Sequence, residues 1–443
     1  MSIINKYQSC FIWLLLFIYP TFLKSQKVDP PNIILIVVDD LGWKDVGFMG
    51  SNYYETPNLD RLAQQSVVFD NAYAAAANCA PSRACMMTGL NTPRHGIYTV
   101  SPSDRGDART RKLVAIKNTR DLADGFTTIG EVLKSEDYTT ATMGKWHLGP
   151  DPGSQGFDLN IGGNRRGHPK SYFSPYQNPN LEDGPEGEYL TDRLTSEAIG
   201  FIKENRKNPF FLYLPYFTIH TPLQGTQRLV EKYKNKGMLD GQGRNPNYGA
   251  MVERMDQNVG KVIKTIRDLD LQNTILIFTS DNGGIAYLSR QYPLRAGKGS
   301  YYEGGIRVPL LFHHFAEKWE PKTISAPVSN LDFMPTMLDL VDAEPLEVDA
   351  LDGRSLLPRI EGKGKLRRHP LYWHFPIYLQ AYRKGEDGSR DALFRTRPGS
   401  VIRYGDWKLH EYFEDGGLEL YNLKKDPGES NNLAEVKKGK AKK

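Results

Sequence analysis

Short apolar runs alternate along this chain with helix-period segments, and that alternation constrains its fold more than any other feature. Residues 33–38, 138–143, 210–217, 274–279 and 308–313 read as buried strands. Between the third and fourth lies an amphipathic helix carrying Met251, Met255, Val259, Val262, Ile266 and Leu269 at spacings of three and four. A second helix is expected over 192–203, with Leu194, Ala198, Ile199 and Ile202 on one face. Strands that alternate with helices imply a large α/β fold: a mixed, mostly parallel sheet sandwiched by helices. Past about residue 365 the pattern changes to 371–375, 401–412 and 418–423, with turns at 403–406 and 415–417. This predicts a smaller C-terminal subdomain carrying an antiparallel sheet. The expected organisation is a leader at 1–25, a main domain at 27–365, the subdomain at 366–436 and a basic tail at 437–443. The stretch 151–183 is rich in Gly, Pro and Asn and reads as a long loop.

With 443 residues and 39% hydrophobic content the chain can bury a large core. The apolar run at 11–23 follows Lys6 and is too short to span a bilayer, so it reads as a secretory signal peptide and implies export to a periplasm or the cell exterior. Cys10 precedes that run and cannot be a lipid-carrying cysteine placed after it. The formal charge of +5 includes Lys6 and Lys24 of the leader and five lysines of the tail, so the body itself is slightly acidic. No aromatic interleaving accompanies the basic tail, which excludes nucleic acid as an expected partner.

In open α/β sheets, ligands gather beyond the carboxyl ends of the strands. Asp39 and Asp40 end the first strand, and Asp281 and Asn282 end another, followed by Gly283 and Gly284. Three carboxylates and an amide oxygen suit a hard cation, calcium or magnesium. Each pair taken alone is equally a turn or a loop start. Lys145 and His147 follow the second strand within Met143-Gly144-Lys145-Trp146-His147-Leu148-Gly149, His220 follows the third, and Lys298 lies between Arg295 and the string Tyr302-Glu303-Gly304-Gly305-Ile306-Arg307-Val308-Pro309. Cys79-Ala80-Pro81-Ser82-Arg83, followed by residues 84–87 and Thr88-Gly89, places a cysteine at the start of a helix-like run, where free N–H groups favour negative charge. Taken alone, Cys79 and Cys85 could equally form a disulfide in an exported protein.

The cysteine string closely resembles the signature of type I sulfatases of the alkaline phosphatase superfamily, with Met87 where the family usually has leucine, a swap of similar volume. The resemblance extends to Asp39-Asp40, the Lys145–His147 string, Asp281-Asn282-Gly283, the Lys298–Pro309 segment and the C-terminal markers Trp407-Lys408-Leu409 and Glu419-Leu420-Tyr421-Asn422-Leu423. It implies that Cys79 is oxidised to formylglycine by a formylglycine-generating or anaerobic sulfatase-maturing enzyme. It also implies a divalent ion on Asp39, Asp40, residue 79, Asp281 and Asn282. Arg83 would steady the hydrated aldehyde, Lys145 and Lys298 would bind sulfate oxygens, His220 would protonate the leaving oxygen, and His147 would take the proton that lets sulfate depart. Substrate contacts are expected from Arg165, Arg166, His168, Arg295, Trp373 and His374, cations and aromatics suited to a sulfated sugar. The expected activity is hydrolysis of sulfate esters on a sulfated, algal-type polysaccharide or its oligosaccharides, the compact length and leader looking most like bacterial enzymes of that kind. The alternatives are a phosphonate or phosphodiester hydrolase of the same superfamily and a non-catalytic glycan-binding relative in which Cys79 stays unmodified.

Overall fold

A computed structural model describes residues 29–236, 245–289, 291–343, 351–364 and 369–442. The leader lies outside these residues, as do 365–368, where the boundary between the two expected domains falls. The strands are β1 (Asn32–Val38), β2 (Val67–Tyr73), β3 (Thr139–Met143), β4 (Leu159–Ile161), β5 (Phe210–Tyr216), β6 (Thr274–Ser280), β7 (Arg307–His314), β8 (Lys322–Ile324), β9 (Val328–Ser329), β10 (Leu371–Phe375), β11 (Leu379–Gln380), β12 (Phe394–Thr396), β13 (Gly399–Tyr404), β14 (Trp407–Tyr412) and β15 (Gly417–Asn422).

The main sheet runs β4-β3-β5-β1-β6-β7-β2-β8, with β9 also paired to β2. The pairs β4–β3, β3–β5, β5–β1 and β1–β6 are parallel, whereas β7 runs antiparallel to both β6 and β2. The sheet is therefore mixed and mostly parallel, with β7 reversed. β1 sits at its centre and explains its own sequence: Asn-Ile-Ile-Leu-Ile-Val-Val is apolar throughout because both faces are covered. Ile34, Ile36 and Val38 point into one core, which includes Leu194, Ile202, Met251 and Val259 from the helices Leu190–Glu204 and Pro246–Asp268. Ile33, Leu35 and Val37 point into the other, which includes Ala84, Met87, Val132 and Met337 from the helices Cys79–Thr88, Ile129–Ser135 and Phe333–Val341.

A second sheet, β10-β13-β14-β15, is antiparallel throughout. The apolar run 401–412 divides into β13 and β14 at Gly405-Asp406, with Tyr404 opposite Trp407. β11 and β12 form a separate two-stranded ribbon. Among the described residues no helix is long and apolar enough to cross a membrane.

Candidate active site

Five connections converge on one rim. The parallel register places Val38 beside both Tyr216 and Ser280, so the segments after β1, β5 and β6 leave the sheet together. β3 ends on the same side, and β2 hands the chain to the helix Cys79–Thr88, whose cap is Asn78. The helix therefore starts at Cys79, and Gly89, with φ +69°, ends it. Ser82 is held by Asn330, whose Nδ2 donates to the Ser82 hydroxyl at 2.9 Å while its Oδ1 accepts from the Ala75 N–H at 2.9 Å. That clamp fixes both sides of the turn that carries Cys79.

Cys79 is 1% exposed and its Sγ lies 3.4 Å from Asp39 Oδ1 and 3.7 Å from Asp40 Oδ1. Burial pushes its thiol well above the ordinary range. Cys85, six residues along the helix, points elsewhere: its Sγ lies 3.4 Å from His95 Nε2, and both cysteines are free thiols. Six residues on a helix turn the two side chains to different faces, so the disulfide reading does not match the geometry.

Asp39, Asp40, Cys79 and Asp281 each bring one ligand atom into a group whose members lie within 4.8 Å of one another, all of them buried. The Lys145 ammonium donates to Asp39 Oδ2 at 2.7 Å, and the Lys298 ammonium to Asp40 Oδ2 at 2.8 Å. Arg83 is fully buried, donating from Nε to Asp281 Oδ2 at 2.9 Å and from Nη1 to the Lys145 carbonyl at 2.8 Å and the Tyr213 hydroxyl at 3.2 Å. His220 Nε2 lies 3.7 Å from Asp40 Oδ2, and its ring pairs at Nδ1 with the Thr221 carbonyl at 2.8 Å. His147, at φ +64°, keeps a buried Nδ1 with no partner among the described residues.

The donor atoms fit a divalent cation. Burial pushes Asp39 up to about 7 even though Lys145 opposes it, while burial of Asp40 is overcome by Lys298 and His220, which hold that carboxyl well below its usual range. Lys145, Lys298 and Arg83 pair one to one with Asp39, Asp40 and Asp281, so the case for a cation rests on the donor atoms rather than on excess charge. Asn282 donates from Nδ2 to Asp40 Oδ1 at 2.8 Å, yet its buried Oδ1 has no partner among the described residues. An orphaned amide oxygen beside three carboxylates is a donor set for a hard ion. His147 is pushed well below its usual range by burial and then by Lys145 and Arg83, and His220 is pushed down to about 3 by burial and then by Lys298.

Two glycines in the quoted strings have a steric reason. A Cβ on Gly144 would lie 2.0 Å from the Pro215 carbonyl, to which the next residue, Lys145, donates its N–H at 2.7 Å. A Cβ on Gly283 would lie 2.0 Å from the Gly304 carbonyl, and the Gly283 N–H donates to the Gly305 carbonyl at 3.0 Å. Only a bare backbone lets these loops come that close.

The expected substrate contacts divide. His168 is exposed and stacks on His220, with ring centroids 5.9 Å apart and planes 11° apart. Arg165 is tied to Asp121 at 2.6 and 2.9 Å, and Arg166 donates to the Gln177 carbonyl at 2.7 Å. His374 is bonded to Ser400 at 2.8 Å and packs on Tyr98 and Phe413. Trp373 is a correction, and Arg295 is half-buried. Trp373 is 2% exposed, packs on Tyr73 and donates to the Ala74 carbonyl at 2.9 Å, so its ring has no face open to a sugar. Arg295 lies over the Tyr302 ring at 3.9 Å and donates to the Gly388 and Glu429 carbonyls, a clasp between the Lys298 loop and the second sheet.

Sequence reading missed the fastening behind that loop. Lys408 is fully buried, with its ammonium 3.0 Å from both Glu303 and Glu429; Glu429 also accepts from the Glu303 N–H at 2.6 Å and lies 3.1 Å from His410 Nε2. The signal was present: strand alternation turns Lys408 and His410 inward together, and an inward lysine needs a carboxylate.

The sulfatase family profile matches residues 31–343, and that of the N-sulphoglucosamine sulphohydrolase C-terminal region matches 297–442. A protein of Formosa agariphila described as a sulfatase is 33% identical over 488 aligned residues, covering 93% of this chain and 85% of its own length. Human N-acetylgalactosamine-6-sulfatase is 33% identical over 82% of this chain and 72% of its own length. The structure of Ps i-CgsB in complex with k-i-k-neocarrahexaose superposes with a TM-score of 0.76 at 32% identity, covering 93% of this chain and 90% of that one. A buried cysteine at a helix start, packed among aspartates and ringed by lysines and histidines on the strand-end rim, is thus found in a chain that belongs to the sulfatase family and is a sulfuric ester hydrolase.

Proposed function

We propose that the protein is exported and removes sulfate from a sulfated carbohydrate, an algal-type polysaccharide or its oligosaccharides. The observation that carries this reading is the approach of Cys79 Sγ to Asp39 and Asp40 with Lys145, Lys298 and His220 around them. It is supported by the likeness to Ps i-CgsB, solved in complex with k-i-k-neocarrahexaose. Oxidised to formylglycine by a maturing enzyme, residue 79 would supply a hydrated aldehyde, one hydroxyl to attack sulfur and a second to release sulfate by C–O cleavage. A calcium or magnesium ion held by Asp39, Asp40, Asp281 and Asn282 would supply Lewis acidity in the same pocket.

The chain's own side chains do the rest. Lys145 and Lys298 bind the sulfate oxygens and hold the ester in line in a dry, positively charged site. Arg83, anchored on Asp281, keeps its buried charge beside residue 79. His220 stands at the edge of the group and delivers a proton to the departing sugar oxygen; an anionic ester next to Lys298 works against the downward shift of its imidazole. His147, with its free Nδ1, takes the proton from residue 79 as sulfate leaves. Exported, matured protein should release sulfate from at least one member of a panel of sulfated oligosaccharides. Faster turnover of nitrophenyl phosphonates than of any sulfate ester would assign it to phosphonate chemistry instead.

A further inference from the structure

Beyond the sulfate-binding side chains, two guanidiniums near the Lys298 loop have no carboxylate hydrogen-bonded to them among the described residues. Arg395 is 7% exposed; its Nη1 donates to the Lys298 carbonyl at 3.1 Å and its Nε to the Gln380 carbonyl at 2.9 Å. Arg105 is half-buried and donates from Nη2 to the Val100 and Ser101 carbonyls at 2.5 and 3.1 Å. Among the described residues every hydrogen bond of the two groups ends on a backbone carbonyl. The Arg105 N–H donates to the Tyr378 carbonyl at 3.1 Å, and a Cβ on the next residue, Gly106, would lie 2.6 Å from the Phe394 ring and 3.6 Å from Gln380 Cβ, so the Arg105 segment lies against the ribbon that carries Arg395. A buried positive charge without a counter-ion is costly, and an anionic ligand relieves it.

The same corner carries aromatic surface. The Arg395 guanidinium lies 3.5 Å over the Tyr382 ring, and Tyr382 meets Tyr287 edge-to-face with centroids 6.0 Å apart. Both tyrosines are about two-fifths exposed, Tyr382 at 41% and Tyr287 at 37%, and Tyr287 stands five residues past Asn282. The segment carrying Arg105 is tied to the catalytic turn, since Asn78, the cap before Cys79, donates to Thr99 at 3.4 Å. One loop that supplies Asp281 and Lys298, one that follows the Cys79 helix, and the β11–β12 ribbon thus meet at a patch of cations and open rings.

We propose that Arg105, Arg395, Tyr382 and Tyr287 form a leaving-group subsite for an anionic sugar, a ring bearing a second sulfate or a carboxylate near the ester being cleaved. This rests on the sulfatase reading above. The guanidiniums offer the planar donor pairs that sulfate and carboxylate accept, and the tyrosines offer apolar faces to the sugar. Arg395 is bonded to the Lys298 backbone, so the patch adjoins the loop that supplies a sulfate-binding lysine.

The test is a kinetic comparison on matched oligosaccharides carrying one sulfate, two sulfates, or one sulfate beside a uronic acid. Wild-type protein should favour at least one doubly anionic substrate over the singly sulfated one by about tenfold in kcat/KM. Arg105→Gln should bring that ratio close to one, through KM rather than kcat. Arg109→Gln should leave it unchanged, because Arg109 is 89% exposed and paired with Asp107. Which substrate is preferred tells sulfate from carboxylate. A wild-type ratio near one, or a ratio untouched in the Arg105 variant, overturns the subsite. If nitrophenyl sulfate is still turned over, the sulfatase reading stands without it; if wild-type protein turns over no sulfate ester, both fall.

Discussion

His220 and His147 share one pocket but differ in their partners, and that difference has a measurable consequence. His220 has its Nδ1 engaged by Thr221 and its Nε2 near Asp40, whereas Nδ1 of His147 has no partner among the described residues. If His220 donates the proton to the leaving oxygen, His220→Gln should lower kcat on sugar sulfates by about 10²–10⁴-fold, the usual range for removal of a general acid. The loss should be much smaller on nitrophenyl sulfate, whose leaving group needs no proton; equal losses on both would remove His220 from that role. The ion site makes a second residue-scale prediction. Stripping the protein with a chelator should abolish activity, and calcium or magnesium should restore it. At an ion concentration roughly a hundredfold above its Kd the gain in unfolding free energy should be about 2.7 kcal/mol, read by thermal denaturation. Asn282→Ala should reduce that gain, and an identical gain in the variant would exclude the Asn282 oxygen from the ligand set. At this scale Asp39, Asp40, Lys145, His147, His220, Asp281 and Asn282 could be singled out because they follow apolar strands, and Cys79 because it opens a helix, whereas Lys298 lies in a loop with no such marker. Trp373 misled, because strand alternation turns inward a ring whose residue type would suggest an exposed sugar platform.

Among the elements, the Lys298 loop depends most on distant sequence. Its backbone is held by the Gly283–Gly305 approach, by Arg395 and Thr396 from β12, and by the buried Glu303–Lys408–Glu429–His410 group. Within that group burial raises Glu303, while Lys408 and His410 overcome burial to hold Glu429 below its usual range. Removing the lysine strands two carboxylates. Lys408→Met should therefore destabilise the protein by about 3–5 kcal/mol in denaturant unfolding, the usual cost of breaking a buried pair from one side. A loss below 1 kcal/mol would mean that the carboxylates reach water or share a proton at little cost. The five main strand candidates were legible as apolar runs. β2 was not, since its Asp70 and Asn71 interrupt the apolar pattern, and β4, β8, β9 and β11 are two or three residues long, too short for any periodicity. The reversal of β7 was equally invisible, because a buried strand has the same composition in either direction.

At the scale of the whole molecule, the central sheet acts as a rigid base, with its two cores fixing where five loops leave one edge. The second sheet closes over that edge: Trp373 packs on Tyr73 of β2, and Tyr301 stacks on Phe375 with centroids 3.8 Å apart. Stability and catalytic geometry are thereby joined, because the contacts that seat the C-terminal sheet also seat Lys298. All of this serves one chemical event at residue 79. The most direct measurement is the intact mass of the exported, matured protein, followed by mass mapping of the peptide that contains position 79. Oxidation of the thiol to an aldehyde should lower the mass by about 18 Da at that peptide. A peptide that keeps the mass of the unmodified chain and still alkylates as a free thiol at position 79, or one lower by about 2 Da with positions 79 and 85 cross-linked, would contradict the account.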